Sequence, residues 1–245
     1  MTYLSTTLRK SIGLLVLLLF SVLAVAQKPK SQNLPKFDNR LFHFGFALSL
    51  NSADMEVHRN GPRSPTDSLL VLRNRAQGGF NLGIVSSLTL YKYLRLRFVP
   101  TLTFAQRNLE YYYKPGGGGA ITSTIKPIES TYVEFPLFLK LKSKRLNNFG
   151  AYLIAGAKYN IDLASNEKVD NDKSDEEIVI KFKRNTFAYD FGVGTDFYLM
   201  YFKFGIEAKM SYTFDNVFIQ DNTVYSSPIE KIKPKMFIIS FTFEG

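Results

Sequence analysis

Residues 80–90 read Phe80-Asn81-Leu82-Gly83-Ile84-Val85-Ser86-Ser87-Leu88-Thr89-Leu90. After Tyr91-Lys92-Tyr93 the chain continues Leu94-Arg95-Leu96-Arg97-Phe98-Val99-Pro100-Thr101-Leu102-Thr103-Phe104. In the first run Phe80, Leu82, Ile84, Ser86, Leu88 and Leu90 share one parity, against Asn81, Gly83, Val85, Ser87 and Thr89. In the second, Leu94, Leu96, Phe98, Leu102 and Phe104 oppose Arg95, Arg97, Thr101 and Thr103. Side chains alternate across a strand, so a period of two predicts two half-apolar strands joined by a tight turn. Each run is close to the roughly 9–11 residues with which a tilted strand crosses a bilayer. The pair reads as one hairpin of a membrane β-barrel.

The same rhythm recurs along the chain. Phe42, Phe44, Phe46, Leu48 and Leu50 alternate with His43, Gly45, Ala47, Ser49 and Asn51. Over residues 131–142, Val133, Phe135, Leu137, Leu139 and Leu141 face away from Tyr132, Glu134, Phe138 and Lys140. Pro136 interrupts this run and is placed at a bulge. Residues 149–160 form a fifth strand whose facing is ambiguous, because Tyr152 and Ile154 oppose Leu153 and Tyr159. Residues 186–198, 202–214 and 237–243 complete the set. Between them lie long polar loops at 52–77, 106–130, 161–185 and 215–234, alternating with turns of a few residues. The prediction is an all-β, eight-stranded antiparallel up-and-down transmembrane β-barrel, with short periplasmic turns, both termini periplasmic and the long loops extracellular.

A soluble barrel uses the same period with its apolar face inward. Three features argue for the membrane form. Small residues (Gly45, Ala47, Gly83, Gly192, Gly194, Gly205) crowd the non-apolar face, as the cramped interior of an eight-stranded barrel requires. Aromatics make up 15% of the chain, all Phe and Tyr, and Tyr91, Tyr93, Tyr132, Tyr198 and Tyr201 fall near strand ends where interface girdles belong. The alternation of loop lengths completes the case. Inward charges must then compensate one another. Arg95, Arg97, Glu134, Asp196, Lys203 and Glu207 are the expected lumenal network, filling the barrel rather than conducting through it.

Upstream, Arg9 and Lys10 precede an apolar run over residues 12–20, and Ala24-Val25-Ala26 supplies small residues for cleavage. This predicts a secretory signal peptide over 1–26, a periplasmic arm over 27–41 and the barrel over 42–245, located in the outer membrane. The chain has no cysteine, so disulfides, thiol catalysis and lipoprotein acylation are excluded. Gly116 to Gly119 lack the Lys-Ser/Thr of a phosphate loop. The two histidines, His43 and His58, have no acid or nucleophile at a catalytic spacing, so the chain reads as no enzyme, without metal, cofactor or small-molecule substrate. The net charge is +10, yet nucleic acid is the wrong partner for an exported chain. Arg59, Arg63, Arg73 and Arg75 crowd the first outer loop, where forked guanidinium contacts suit lipopolysaccharide phosphates.

Tyr132-Val133-Glu134-Phe135-Pro136-Leu137 resembles the Tyr-x-Glu-x-Pro strand of the small outer-membrane barrels common in Bacteroidota, and residues 190–198 have the same character. A narrower match joins Asn33-Leu34-Pro35-Lys36-Phe37-Asp38, His43-Phe44-Gly45-Phe46-Ala47-Leu48 with Asn51, and the terminal Ser240-Phe241-Thr242-Phe243-Glu244-Gly245. Together these resemble the PorT family, barrels required for type IX secretion and, in gliding species, motility. The resemblance implies a non-enzymatic accessory or assembly role in exporting proteins with a C-terminal sorting domain. Other secretion components and outer-membrane lipid are the implied partners. Asn33, Leu34, Pro35, Phe37 and Asp38, on an extended arm, are the segment placed to meet machinery. The rival reading is a stand-alone structural or adhesin-type barrel that binds lipopolysaccharide or a host surface through its outer loops.

Overall fold

The computed structural model describes residues 32–60, 69–114, 120–169, 178–221, 223 and 225–245. The leader, Arg63, Gly116 to Gly119 and the acidic stretch at 170–177 lie outside the described residues. The strands are β1 (Phe42–Arg59), β2 (Leu69–Tyr91), β3 (Leu94–Phe98), β4 (Thr101–Tyr113), β5 (Thr122–Lys142), β6 (Phe149–Asp162), β7 (Lys181–Phe182), β8 (Asn185–Tyr198), β9 (Lys203–Thr213), β10 (Phe218–Ile219) and β11 (Ile229–Glu244). Every pairing is antiparallel, and β1 pairs with both β2 and β11, which closes the sheet into a ring. β3 and β4 act as one stave, so the ring has eight. β7 and β10 pair with each other outside it.

The β3–β4 break comes from proline chemistry. Val99-Pro100 separates the two segments, yet Phe98↔Leu137 and Thr101↔Glu134 keep one register across the gap. The Pro136 carbonyl accepts from the Val99 amide at 3.3 Å, so the N–H that Pro136 lacks would have pointed into the same gap. Pro136 therefore needs no bulge, contrary to the sequence expectation. Two prolines face one interruption.

Along β1 the outward residues are Phe42, Phe44, Phe46, Leu48 and Leu50, and beyond them Ser52, Asp54, Glu56 and His58. The inward residues change the opposite way, from His43, Ser49 and Asn51 to Ala53, Met55 and Val57. β11 repeats this in reverse, with Lys231, Lys233 and Lys235 outward before Phe237, Ile239, Phe241 and Phe243. Register places the two changes side by side, since Ser52 pairs with Phe237 and Asp54 with Lys235, whose charges lie 3.2 Å apart. The barrel thus has an apolar-outside belt toward the end bearing the short turns, and a polar-outside extension toward the end bearing the long connections. These are the turn end and the loop end below. Exposed side chains such as Phe44, Ile84 and Leu153 form a belt far beyond what water tolerates and suited to bilayer hydrocarbon.

Above the belt the barrel interior is an apolar core. Met55, Leu69, Leu109, Tyr111, Ile229 and Ile232 from the staves pack on Ile180, Val217 and Phe218 from the connections. Residues 52–77 and 106–130, predicted to be loops, are therefore mostly strand. Their outward polarity is real, but their inward positions bury apolar side chains, which holds the staves together past the membrane. Tyr132 and Tyr198 also depart from expectation: both turn inward instead of joining a girdle, sharing parity with Glu134 and Asp196.

Candidate functional site

The belt's inward face is a ladder of charge. On β6 the ambiguous facing resolves with Tyr152, Ile154, Lys158 and Asn160 inward and Leu153 and Tyr159 outward. Gly194 on the facing β8 makes room for Tyr152: a Cβ there would lie 2.4 Å from the Tyr152 ring. The freed phenol reaches Glu207 and donates to Oε1 at 2.9 Å.

Glu207 on β9 is the centre of the ladder. It also accepts from Arg97 Nη1 and, at 3.0 Å, from Lys209. Arg97 lies 3.5 Å from Glu244, which accepts from Lys203 at 2.8 Å, and Lys203 lies 3.7 Å from Asp196, the partner of Lys140 at 3.0 Å. A separate set lies nearer the loop end, where Lys158 bonds both oxygens of Glu134 at 3.0 Å and approaches Asp190 at 3.6 Å. Above it Arg107 reaches Ser130 and Tyr132 at 3.4 Å. A cavity of about 30 Å³, bordered by Arg107, Glu134, Lys158, Asn160 and Met236, separates this set from the apolar core. That is about enough space for one water molecule.

The six residues assigned to the lumen from sequence are all inward and buried, but they fall into three groups. Arg97, Glu207, Asp196 and Lys203 share one network. Glu134 belongs to the Lys158 set. Arg95 pairs with neither, because its partner comes from the arm.

From residue 32, where the described residues begin, the arm does not run extended. Phe37–Asn39 forms a 3-10 turn in the turn-end mouth, with Phe37 buried. The Phe37 ring lies 4.2 Å from the His43 ring and edge-on to Tyr198 at 6.0 Å. The His43 Nε2–H donates to the Phe37 carbonyl at 2.6 Å. Asp38 Oδ1 accepts from Arg95 Nη2 at 2.7 Å, Lys142 Nζ at 2.5 Å and the Tyr198 hydroxyl at 3.0 Å. Asn33 donates through its amide to Asn148 and through its side chain to the Tyr198 carbonyl, while Arg145 donates to the carbonyls of Asn33 and Leu34. Pro35 and Lys36 remain exposed. Lys142, at the end of β5, and Arg145, in the turn that follows, hold the arm.

Partial burial acts to raise the Asp38 pKa, but the hydrogen bond and charge of Lys142, then the charge of Arg95, outweigh it and hold the carboxyl below its ordinary 3.8. A carboxylate with a depressed folded value stabilises docking above the ordinary value and loses that contribution as pH falls through the folded one. A nitroxide on Lys36→Cys is therefore expected to be immobilised at neutral pH and to become mobile only below pH 3.8. Unchanged mobility through the whole carboxylate range would contradict Asp38 as the latch.

Arg59, Arg73 and Arg75 are exposed at the loop end, with Arg75 3.8 Å from Glu110, whereas Arg63 is outside the described residues. His58 is exposed beside Glu56 at 3.2 Å. Among the described residues no three His, Asp or Glu side chains are placed to hold a metal ion.

A belt of apolar side chains around a buried charge ladder has a family counterpart: the model for the outer membrane protein beta-barrel domain matches residues 25–218. The chain belongs to that family. Among solved structures, this outer-membrane barrel is similar to OprG from Pseudomonas aeruginosa, at 15% identity over 84% of this chain and 94% of that one, with a TM-score of 0.39. AlkL in lipid bilayers is 13% identical over 89% and 92%, with a TM-score of 0.43. Ail of Yersinia pestis, solved with the heparin analogue sucrose octasulfate, is 11% identical over 84% and 100%, with a TM-score of 0.36. No curated protein sequence matches the chain.

Of the residues in this outer-membrane barrel's ladder, sequence reading missed Asp38, Lys140, Lys142, Lys158, Asp190 and Glu244 as charge partners. Parity could have found Lys140, which shares the face of Glu134, and Asp190, which shares that of Asp196. Nothing in the sequence brings Asp38 to Arg95.

Proposed function

We propose that this barrel is a non-enzymatic component supporting protein export by type IX secretion, and gliding motility where present, in an accessory or assembly capacity. The observation that carries the reading is the filled lumen. An interior crossed by ion pairs, with an apolar core at one end and a folded arm at the other, suits a scaffold rather than a conduit. The PorT-like residues at the chain's two ends direct that scaffold role to secretion. In this reading the turn end faces the periplasm and the loop end the exterior. The exposed Pro35 and Lys36 then present the arm to other secretion components.

A clean deletion, followed by fractionation for cargo with the C-terminal sorting domain, tests this. Such cargo is expected to accumulate in the periplasm while other outer-membrane proteins stay normal. Unchanged export would reject the secretion role. The exposed Arg59, Arg73 and Arg75 favour a second reading, a stand-alone barrel whose loop end binds lipopolysaccharide phosphate or an acidic host surface. In that case deletion would impair surface binding or envelope integrity alone.

A further inference from the structure

We propose that the turn-end mouth is a receptor for a peptide that presents an aromatic residue followed by a carboxylate, and that the chain's own Phe37-Asp38 occupies it at rest. This holds whether or not the barrel serves secretion.

The first ground is a surplus of donors. One oxygen, Asp38 Oδ1, receives Arg95, Lys142 and Tyr198 together, while Oδ2 has Tyr198 at 3.1 Å and Arg145 only at 3.9 Å. Arg95 is 2% exposed, and its Nη1 is buried with no hydrogen-bond partner. Among the described residues, Asp38 is the carboxylate that pairs with Arg95 and Lys142. A guanidinium fork is best met by two oxygens side by side, and Asp38 engages a single prong. The mouth is therefore built for more carboxylate than its own arm delivers.

The second ground is the ring pocket. Phe37 sits against His43 and Tyr198, with Arg95 5.7 Å and Lys203 4.9 Å from its centroid. Cations over a ring select an aromatic side chain over an aliphatic one of equal size. The third ground is how the arm is held. It adds no strand to the sheet, and Leu34 sits in the left-handed region at φ 49°. For a γ-branched residue with a Cβ that conformation is strained, and undocking relieves it. The arm is a replaceable occupant.

The test uses the full chain, refolded in detergent, with a fluorescent peptide of the sequence Asn33-Leu34-Pro35-Lys36-Phe37-Asp38-Asn39-Arg40 as probe. A Phe37→Ala/Asp38→Asn chain, whose own arm competes poorly, is expected to bind the probe at least about tenfold tighter than the natural chain does. A probe with asparagine at the Asp38 position should lose about as much, and Arg95→Gln in the variant chain should lose it too. Equal binding by the natural and variant chains, or equal binding of the two probes, would overturn the proposal. Should the double variant not refold, the Asp38→Asn chain replaces it under the same two criteria.

Discussion

Replacing Glu207 with alanine is expected to destabilise the refolded barrel by about 3–5 kcal/mol, the cost of breaking a buried ion pair from one side. Glu207 is 1% exposed and serves three donors at once: Arg97, Tyr152 and Lys209. Its loss leaves Arg97 with Glu244 at 3.5 Å as its remaining carboxylate, and leaves the Tyr152 phenol without its acceptor. Lys209 is less affected by the loss, because it is only partly buried. Glu207→Gln keeps acceptors for both phenol and guanidinium, so it should fall between natural chain and alanine variant. Removing Arg97 as well should recover part of the deficit, because the buried guanidinium that lost its nearer carboxylate is then gone. The chain has no tryptophan, so far-ultraviolet circular dichroism along a denaturant series is the suitable readout. A Glu207→Ala loss within about 0.5 kcal/mol would show that solvent, not the ladder, satisfies Arg97.

Leu109→Ala is expected to cost about 2–5 kcal/mol, the range for emptying a packed aliphatic site. Leu109 lies on β4 beyond the belt, is fully buried, and packs in the cluster with Tyr111, Ile229 and Ile232. A residue in a solvated loop would cost almost nothing on truncation. The matched control is Leu48→Ala on β1, where the side chain points outward in the belt at 44% exposure and leaves no internal cavity. The interior site should therefore be the more sensitive of the two leucines, although it lies outside the apolar belt. Equal costs at both sites would contradict a packed core at the loop end.

The belt was legible in the sequence because one physical rule governs it. Phe80 to Leu90 and Phe237 to Phe243 each face lipid at every second residue, and parity alone gives the inward set that includes Arg97, Asp196 and Glu207. The loop end was not legible by the same rule, because the rule inverts there. Beyond Leu50 the outward positions turn polar, so Ser52, Asp54 and Glu56 look like loop, while Ala53, Met55 and Val57 carry the real signal on the other parity. Residues 106–113 repeat the case, with Gln106, Asn108 and Glu110 outward over Leu109 and Tyr111 inward.

Pairing within the ladder depends on shear, which parity does not supply. Arg97 and Asp196 both face inward, yet Arg97 meets Glu207 and Glu244 while Asp196 meets Lys140 and Lys203. The arm was harder still. Its polar, proline-bearing composition reads as extended chain, and the burial of Phe37 and the pairing of Asp38 depend on Arg95, Lys142 and Tyr198, which are remote in sequence and meet only once the ring closes. A hydrophobic residue beside an acid in a segment without periodicity is the one local hint.

Conductance of the refolded protein in planar lipid bilayers tests the filled lumen most directly. The three groups of pairs, around Asp38, Glu207 and Lys158, capped by the Leu109 core, are expected to give no stable large channel, and only rare, brief openings. Stable channels of uniform, large conductance from the folded chain would show an open pore and contradict the scaffold reading.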